Sequence, residues 1–389
     1  MENILFYLQH YLTPSMTFIY RQLCGVRKEF NTSVLCSRIS ENLEIFPHDK
    51  LYFYPQDKFA VNLSRLKEII LNRPELSYLN IPHLFFYKKK QYEKFISGKE
   101  SKLIHAHFGP SGIEVLPIAQ KLNLPLLTSF HGYDASSLLK YSMYIKNLKK
   151  LFNYSHVITP SEYMLNSFHK LGLYSKNEHI IHYGIPINIF AYKERQPINQ
   201  KVIKKEEIIF LQVSNFVEKK GHKYTVITFS NFLKTYPDSR LILAGDGPLR
   251  KSIMSLVNDL GIGDKVVFSG LVYQEKVIDL MYLADVFLHH SITSDDGNME
   301  GIPNVIMEAM ATGLPIISTR HAAIPELVNH GLNGFLVEEK NIKDYEMAMK
   351  KVLSCNNDLG INGRKKIEND FNLDKINEKL ISVYKKVLK

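Results

Sequence analysis

Two glutamates bracket a short apolar run bounded by turn residues: Glu300-Gly301-Ile302-Pro303-Asn304-Val305-Ile306-Met307-Glu308-Ala309-Met310-Ala311-Thr312-Gly313-Leu314-Pro315. Pro303 suits the first helical position and Gly313 with Pro315 closes the run, so a helix over 303–312 is predicted. Gly301, Ile302, Pro303 and Asn304 form its head, where unpaired backbone N–H groups beside a residue without a side chain make an anion site suited to phosphate. Glu308 lies about 7–8 Å further along the axis at 1.5 Å per residue, near the span from a diphosphate to the ribose of its nucleotide. A carboxylate there could accept both ribose hydroxyls. Glu300 precedes the helix on the opposite side of the phosphates, where a sugar would sit. An isolated pair of glutamates is ordinarily a helix charge and a loop charge in solvent; here the whole string carries the functional reading.

Other chemistry-bearing residues fall at the ends of apolar runs. His131, in Ser129-Phe130-His131-Gly132-Tyr133-Asp134, follows the strand-like run 124–130, at the carboxyl end where the active-site groups of a parallel sheet collect. Gly245-Asp246-Gly247-Pro248 follows the run 241–244 as a tight turn into a helix, a shape that lets backbone approach a nucleotide. His105 and His107 share one face by period-two alternation; local sequence provides no third metal ligand, so they read as sheet-end packing, with Gly109 lining a cleft. Asp295 and Asp296 are adjacent loop residues beside the glutamate string. No obligatory metal or other cofactor is predicted.

The string from Glu300 to Pro315, together with Ala284-Asp285-Val286-Phe287 before it and Ile324-Pro325-Glu326-Leu327 after it, resembles the signature of the retaining glycosyltransferases of family four, which have the two-domain GT-B fold. The resemblance implies that Glu308 binds the ribose of a nucleotide sugar and Glu300 the donor sugar. It implies that His131 lies against the transferred sugar, with Asp134 in the same loop, and that Lys220 lies on the donor diphosphate. The usual arginine five residues before that lysine is here Asn215, a neutral amide, so charge on the leaving diphosphate would rest on Lys220, the helix amides or another cation such as Lys219, Lys223 or Arg250. Thr13-Pro14-Ser15-Met16-Thr17 replaces the family's glycine pair and is closer to the subgroup that builds bacterial exopolysaccharides such as colanic acid and amylovoran. Ser15 and Thr17 are then candidates for contact with acceptor or phosphate; a cap on the helix after it suits Ser15 equally. The implied reaction moves a sugar from a UDP- or GDP-sugar to a hydroxyl of a glycan or lipid-linked saccharide, with retention. A nucleotide-sugar epimerase or hydrolase on the same fold, and a weakly catalytic basic protein that binds glycan or membrane, stay open as alternatives.

Two Rossmann-like, doubly wound parallel sheets would position these residues. Short β-branched runs recur, each followed by a stretch of helical length. Strands are predicted near 3–8, 33–38, 50–54, 102–107, 124–130, 155–159 and 179–183, then near 207–213, 240–244, 265–269, 285–290, 315–319 and 334–337. Helices are predicted near 15–29, 62–71, 85–97, 111–121, 136–151 and 161–171, then near 222–236, 248–260, 273–283, 303–312 and 341–353. Two prolines and mixed charge over 186–206 mark a linker, 189–206, between an acceptor-side domain, 1–188, and a donor-binding domain, 207–373. A C-terminal helix over 374–389 crosses back to the first domain by the resemblance. Loops at the carboxyl ends of the two sheets would face a common cleft.

Composition agrees with a folded chain of two domains: 389 residues, 45% hydrophobic and 23% charged. Three cysteines at unrelated spacings argue against a disulfide framework and for a reducing compartment. No apolar window is long enough to cross a membrane and no basic leader precedes the first strand, which predicts a cytoplasmic protein. The net charge is +10, and most of the excess falls before residue 191. The lysine- and aromatic-rich segment 84–95 and the basic helix 140–150 fit either a solvated face or an anionic membrane surface at the inner face of the cell membrane. No nucleic-acid-binding signature accompanies them.

Overall fold

The computed structural model describes residues 1–13, 16–38, 43–53, 66, 86–204, 206–355 and 357–389. The chain divides into two compact units, Met1–Gly184 with Asp374–Lys389, and Ile185–Leu373.

The first unit is built on β1 (Asn3–His10), β2 (Asn31–Arg38), β3 (Leu51–Phe53), β4 (Leu103–His107), β5 (Leu126–Ser129), β6 (His156–Thr159) and β7 (Glu178–Ile180). They pair in parallel in the order β3-β2-β1-β4-β5-β6-β7. The central strands carry unbroken buried runs, such as Ile4–Leu8, because helices cover both faces of a parallel sheet. Connections run outward from β1 to β3 and then in the other direction from β4, so the loops leaving β1, β4 and β5 part at the switch point. The C-terminal helix Leu373–Val387 packs in this unit: Asn377 lies under Gly25, where a Cβ would meet its side-chain nitrogen at 2.1 Å, and Tyr384 is fully buried.

The second unit is built on β8 (Ile208–Val213), β9 (Ser239–Ala244), β10 (Val266–Gly270), β11 (Val286–His289), β12 (Ile316–Thr319) and β13 (Gly334–Val337), parallel in the order β10-β9-β8-β11-β12-β13. Its core gathers Phe210, Phe229 and Phe232, with ring centroids 6.1 and 5.1 Å from Phe210, each buried ring stabilising the fold by about 1.5–3 kcal/mol. The switch point falls between β8 and β11, whose following loops hold Lys220 and Glu300.

Several elements differ from expectation, each for a local reason. The stretch 189–206 is not an open connection: Pro197 precedes a helix, Ile198–Lys204, and Arg195 donates to the carbonyls of Met281 (2.8 Å) and Ala284 (2.7 Å) in the second unit. Lys201 adds a 2.7 Å ion pair to Asp285. The predicted helix 136–151 begins only at Ser142, after 3-10 turns at Tyr133–Ala135 and Ser137–Lys140. There the backbone makes i to i+3 bonds, from Leu139 N–H to the Ser136 carbonyl and from Tyr141 N–H to the Leu138 carbonyl, in place of helical ones. A polar helix with a narrow apolar seam, Asp358–Asp370, escaped the periodicity; Gly360 and Gly363 let it approach Gly313 and Met310 closely. The helix predicted over 62–71, apart from Leu66, lies outside the described residues, as do Ser15 and the start of the segment 84–95. Among the described residues no helix is long and apolar enough to cross a membrane.

Candidate active site

Three glycines bring the loops of the second unit together. Gly221 has φ +59, and a Cβ there would meet the His290 carbonyl oxygen at 1.8 Å, so the turn after Lys220 fits flush against the end of β11. Gly245 and Gly247, at φ +133 and +155, lie against Ser214 and Phe216, where a Cβ would come within 2.1 and 2.8 Å of backbone. The two loops are joined by hydrogen bonds from Phe216 N–H to the Asp246 carbonyl (2.9 Å) and from Leu249 N–H to the Phe216 carbonyl (3.0 Å). Asn215 is exposed on this joined edge.

Lys220 and Glu300 form an ion pair of 2.8 Å, their side chains 16% and 8% exposed. Burial alone would push the Glu300 carboxyl up, but Lys220, then Lys219, outweighs it and holds the group down at about 2. It is therefore an anion at neutral pH. Lys219 reaches the same loop, donating to Asn298 Oδ1 (3.3 Å) and the Met299 carbonyl (3.2 Å), and burial lowers its own pKa. Of the other proposed cations, Lys223 is exposed and Arg250 is half-buried at the start of the helix after Gly247.

The signature helix runs Asn304–Ala311, with Pro303 as its extended N-cap (φ −68, ψ 108) and not its first helical residue. Ile306 and Met307 both donate to the Pro303 carbonyl. Among the described residues the N–H groups of Asn304 and Val305 have no protein acceptor. Gly301, Ile302 and Pro303 are buried beneath this head, while Asn304 and Glu308 are half-buried on one face, a single turn apart. Glu300, Gly301 and Lys220 thus meet at the head of a helix that carries Glu308 on its open side.

His131 belongs to a different constellation, in the first unit. Its Nε2 is 3.0 Å from His107 Nδ1 and its Nδ1 is 2.9 Å from the Tyr183 hydroxyl, so both ring nitrogens have protein partners. The ring is 7% exposed, and burial, with His105 nearby, drives its pKa far below the usual range, leaving a neutral imidazole. His105 bonds Tyr384 and Ser129 and is a satisfied packing group, whereas His107, bonded to His131 through Nδ1, has a buried Nε2 with no hydrogen-bond partner among the described residues. Of the residues expected at a cleft, Asp134 is fully buried, and its carboxylate accepts from the N–H groups of Gly109 (2.9 Å), His131 (3.0 Å) and Gly132 (2.9 Å), so it shapes the loop. Gly109 is buried as well, and a Cβ there would meet the Tyr144 hydroxyl at 2.1 Å. Thr17 opens the first helix, Thr17–Val26.

Sequence reasoning missed Tyr183, His321 and Glu339. His321 Nε2 accepts the Glu300 backbone N–H at 3.0 Å, and its Nδ1 lies 2.6 Å from Glu339 Oε1. Both residues lie just past strand ends, β12 and β13, and the carboxyl-end rule that singled out His131 applies to them equally. Among the described residues no group of three or more His, Cys, Asp or Glu is placed to hold a metal ion.

Comparison with known proteins places this geometry in context. Residues 194–367 match the family described as glycosyl transferases group 1, and residues 38–188 match glycosyltransferase family 4. The chain is 29% identical to WcaL of Escherichia coli, named for colanic acid biosynthesis, over 72% of this chain and 69% of WcaL. It is 29% identical to AmsK of Erwinia amylovora, an amylovoran biosynthesis glycosyltransferase, over 68% of this chain and 65% of AmsK. Its fold matches the crystal structure of Anabaena HepE in complex with UDP and glucose at a TM-score of 0.77 and 19% identity, covering 99% of this chain and 100% of HepE.

Proposed function

The chain belongs to the glycosyltransferases of group 1 and family 4, with the GT-B fold, and we propose that it moves a hexose from a UDP- or GDP-sugar to a hydroxyl of a glycan or lipid-linked saccharide. The relatives named for colanic acid and amylovoran support a role in cell-surface polysaccharide synthesis, on the cytoplasmic side of the membrane where nucleotide sugars are made. Retention of anomeric configuration rests on the family.

One observation carries the reading: the 2.8 Å Lys220–Glu300 pair stands at a helix head with two unclaimed N–H groups, and Glu308 lies one turn along the same helix. A diphosphate at that head takes the Lys220 ammonium and the N–H groups of Asn304 and Val305. The Glu300 carboxylate is then available to sugar hydroxyls, and Glu308 to the ribose. As the glycosidic bond breaks, negative charge grows on the phosphate oxygen, where these fixed donors act most strongly. Lys220 and the helix amides counter that charge without the arginine that Asn215 replaces.

A thermal-shift panel of UDP-, GDP- and ADP-sugars tests this directly. A sugar nucleotide at 100 times its dissociation constant stabilises the protein by about 2.7 kcal/mol, and Glu308→Ala abolishes that response. Nucleoside diphosphate is released only when a saccharide acceptor is added. Release at full rate without acceptor would instead mark a hydrolase, and a flat panel would refute the donor site.

A further inference from the structure

The loop that presents Glu300 is tied at both ends to one carboxylate. Glu339, at the end of β13, accepts from the Thr293 N–H through Oε2 (2.8 Å) and from the Thr293 hydroxyl through Oε1 (3.3 Å), where the loop begins. At the other end it reaches Glu300 through His321. The geometry fixes the protons on that path. A nitrogen that accepts the Glu300 N–H cannot itself carry hydrogen, so the His321 ring proton is on Nδ1 and is donated to Glu339. His321 is fully buried, which leaves it no water to substitute for either bond.

We propose that His321 and Glu339 form a positioning dyad that sets the direction of the Glu300 carboxylate and so governs sugar transfer without governing nucleotide binding. The inference rests on the reading that Glu300 faces the donor sugar. Between Thr293 and Glu300 the chain is Ser294–Met299, polar throughout apart from its last residue, with Gly297 at φ +80 and Asp295 and Asp296 exposed. Its one apolar side chain, Met299, is half-buried next to Glu300. Lys219 holds Asn298 and the carbonyl of the peptide that enters Glu300, and His321 holds the N–H of that same peptide. Rotation of that peptide swings the carboxylate away from the position set by Lys220, and a displacement of about 1 Å at a reacting group can cost about 100-fold in rate. The nucleotide is held by Lys220, the helix amides and Glu308, none of which His321 or Glu339 touches.

The test has a structural arm and a kinetic arm. Long-range proton–nitrogen correlation on histidine-labelled protein should show His321 protonated at Nδ1 and unprotonated at Nε2, and Glu339→Ala should erase that preference. With the sugar nucleotide that gives the largest thermal shift, His321→Ala and Glu339→Ala should lower kcat by about 10-fold or more at unchanged KM. Calorimetric affinity for the matching nucleoside diphosphate should stay within about twofold. His321→Gln, whose side-chain oxygen can still accept the Glu300 N–H, should recover most of kcat, and Glu339→Gln, which keeps an acceptor for Nδ1–H but turns its amide nitrogen on the Thr293 N–H, should fall between wild type and Glu339→Ala. An Nε2-protonated ring in the wild type would overturn the dyad. So would a wild-type kcat in Glu339→Ala, or a kcat loss matched by an equal loss of nucleotide affinity. If no sugar nucleotide binds the wild type, the donor reading fails, while the tautomer measurement still decides the dyad.

Discussion

Lys220 does two jobs that compete. It neutralises a buried carboxylate at 2.8 Å, and in the proposed reaction it also meets the leaving diphosphate. Because Asn215 brings no charge, the second job has little reserve. Removing one partner of a buried ion pair leaves the other charge stranded, a loss of about 3–5 kcal/mol where no second cation helps. Lys219 lies close enough to soften that loss, since it too holds the Glu300 pKa down. Lys220→Ala is therefore expected to destabilise by about 3 kcal/mol in urea unfolding, and to lower kcat by roughly two to three decades. Adding Glu300→Gln to that variant should return most of the stability and none of the activity. If the second substitution leaves stability unchanged, the pair is not the stabilising unit drawn here.

The glycines of the loops make their contribution as elements, through backbone approach. Gly221 and Gly261 both adopt left-handed backbone, at φ +59 and +67, but a Cβ on Gly261 meets nothing within 4 Å, whereas on Gly221 it would strike the His290 carbonyl. Gly261→Ala should cost about 1–2 kcal/mol, the conformational term alone. Gly221→Ala should cost more and lower activity, because relieving the contact displaces the turn that carries Lys220. Equal losses in thermal unfolding would show that the close approach is unimportant. The same contrast explains what was legible in the sequence. Apolar runs announced the strands because a sheet covered on both faces needs them, and Pro303 and Gly313 bounded the signature helix to within a residue. Asp358–Asp370 was hidden because its buried seam includes glycines, and Ile198–Lys204 because two prolines suggested a connection. At the site, spacing about the helix singled out Glu300 and Glu308, and Lys220 followed only from the family resemblance. The bond from Gly109 to Asp134 and the Glu339–His321 link join residues 25 and 18 apart in the chain, which no local pattern encodes.

At the scale of the whole molecule, buried histidines set the response to acid. His105, His107 and His131 in the first unit, and His222, His289 and His290 in the second, are all nearly or fully buried, and burial lowers the pKa of each. A depressed folded pKa favours the neutral ring, so its contribution is complete above the unfolded value of 6.5 and is lost as pH falls toward the folded value, about 3 for His105, His222 and His290. One pH unit below the unfolded value each ring costs about 1.4 kcal/mol, so three per unit amount to about 4 kcal/mol, a large share of the roughly 5–15 kcal/mol that stabilises an ordinary domain. Glu300 has the same sign but a lower window: its contribution is full above 4.5 and is lost as pH falls through about 2. The histidines must therefore act first. Urea unfolding followed by circular dichroism should show stability falling steeply between pH 6.5 and 5, before the carboxylates titrate. His105→Gln, which keeps a hydrogen-bonding side chain without a titrating ring, should flatten the slope by about one proton if it folds, or about 1.4 kcal/mol per pH unit. Stability that stays level down to pH 5 would mean that these rings find charged-state partners on acidification and that burial does not hold them neutral.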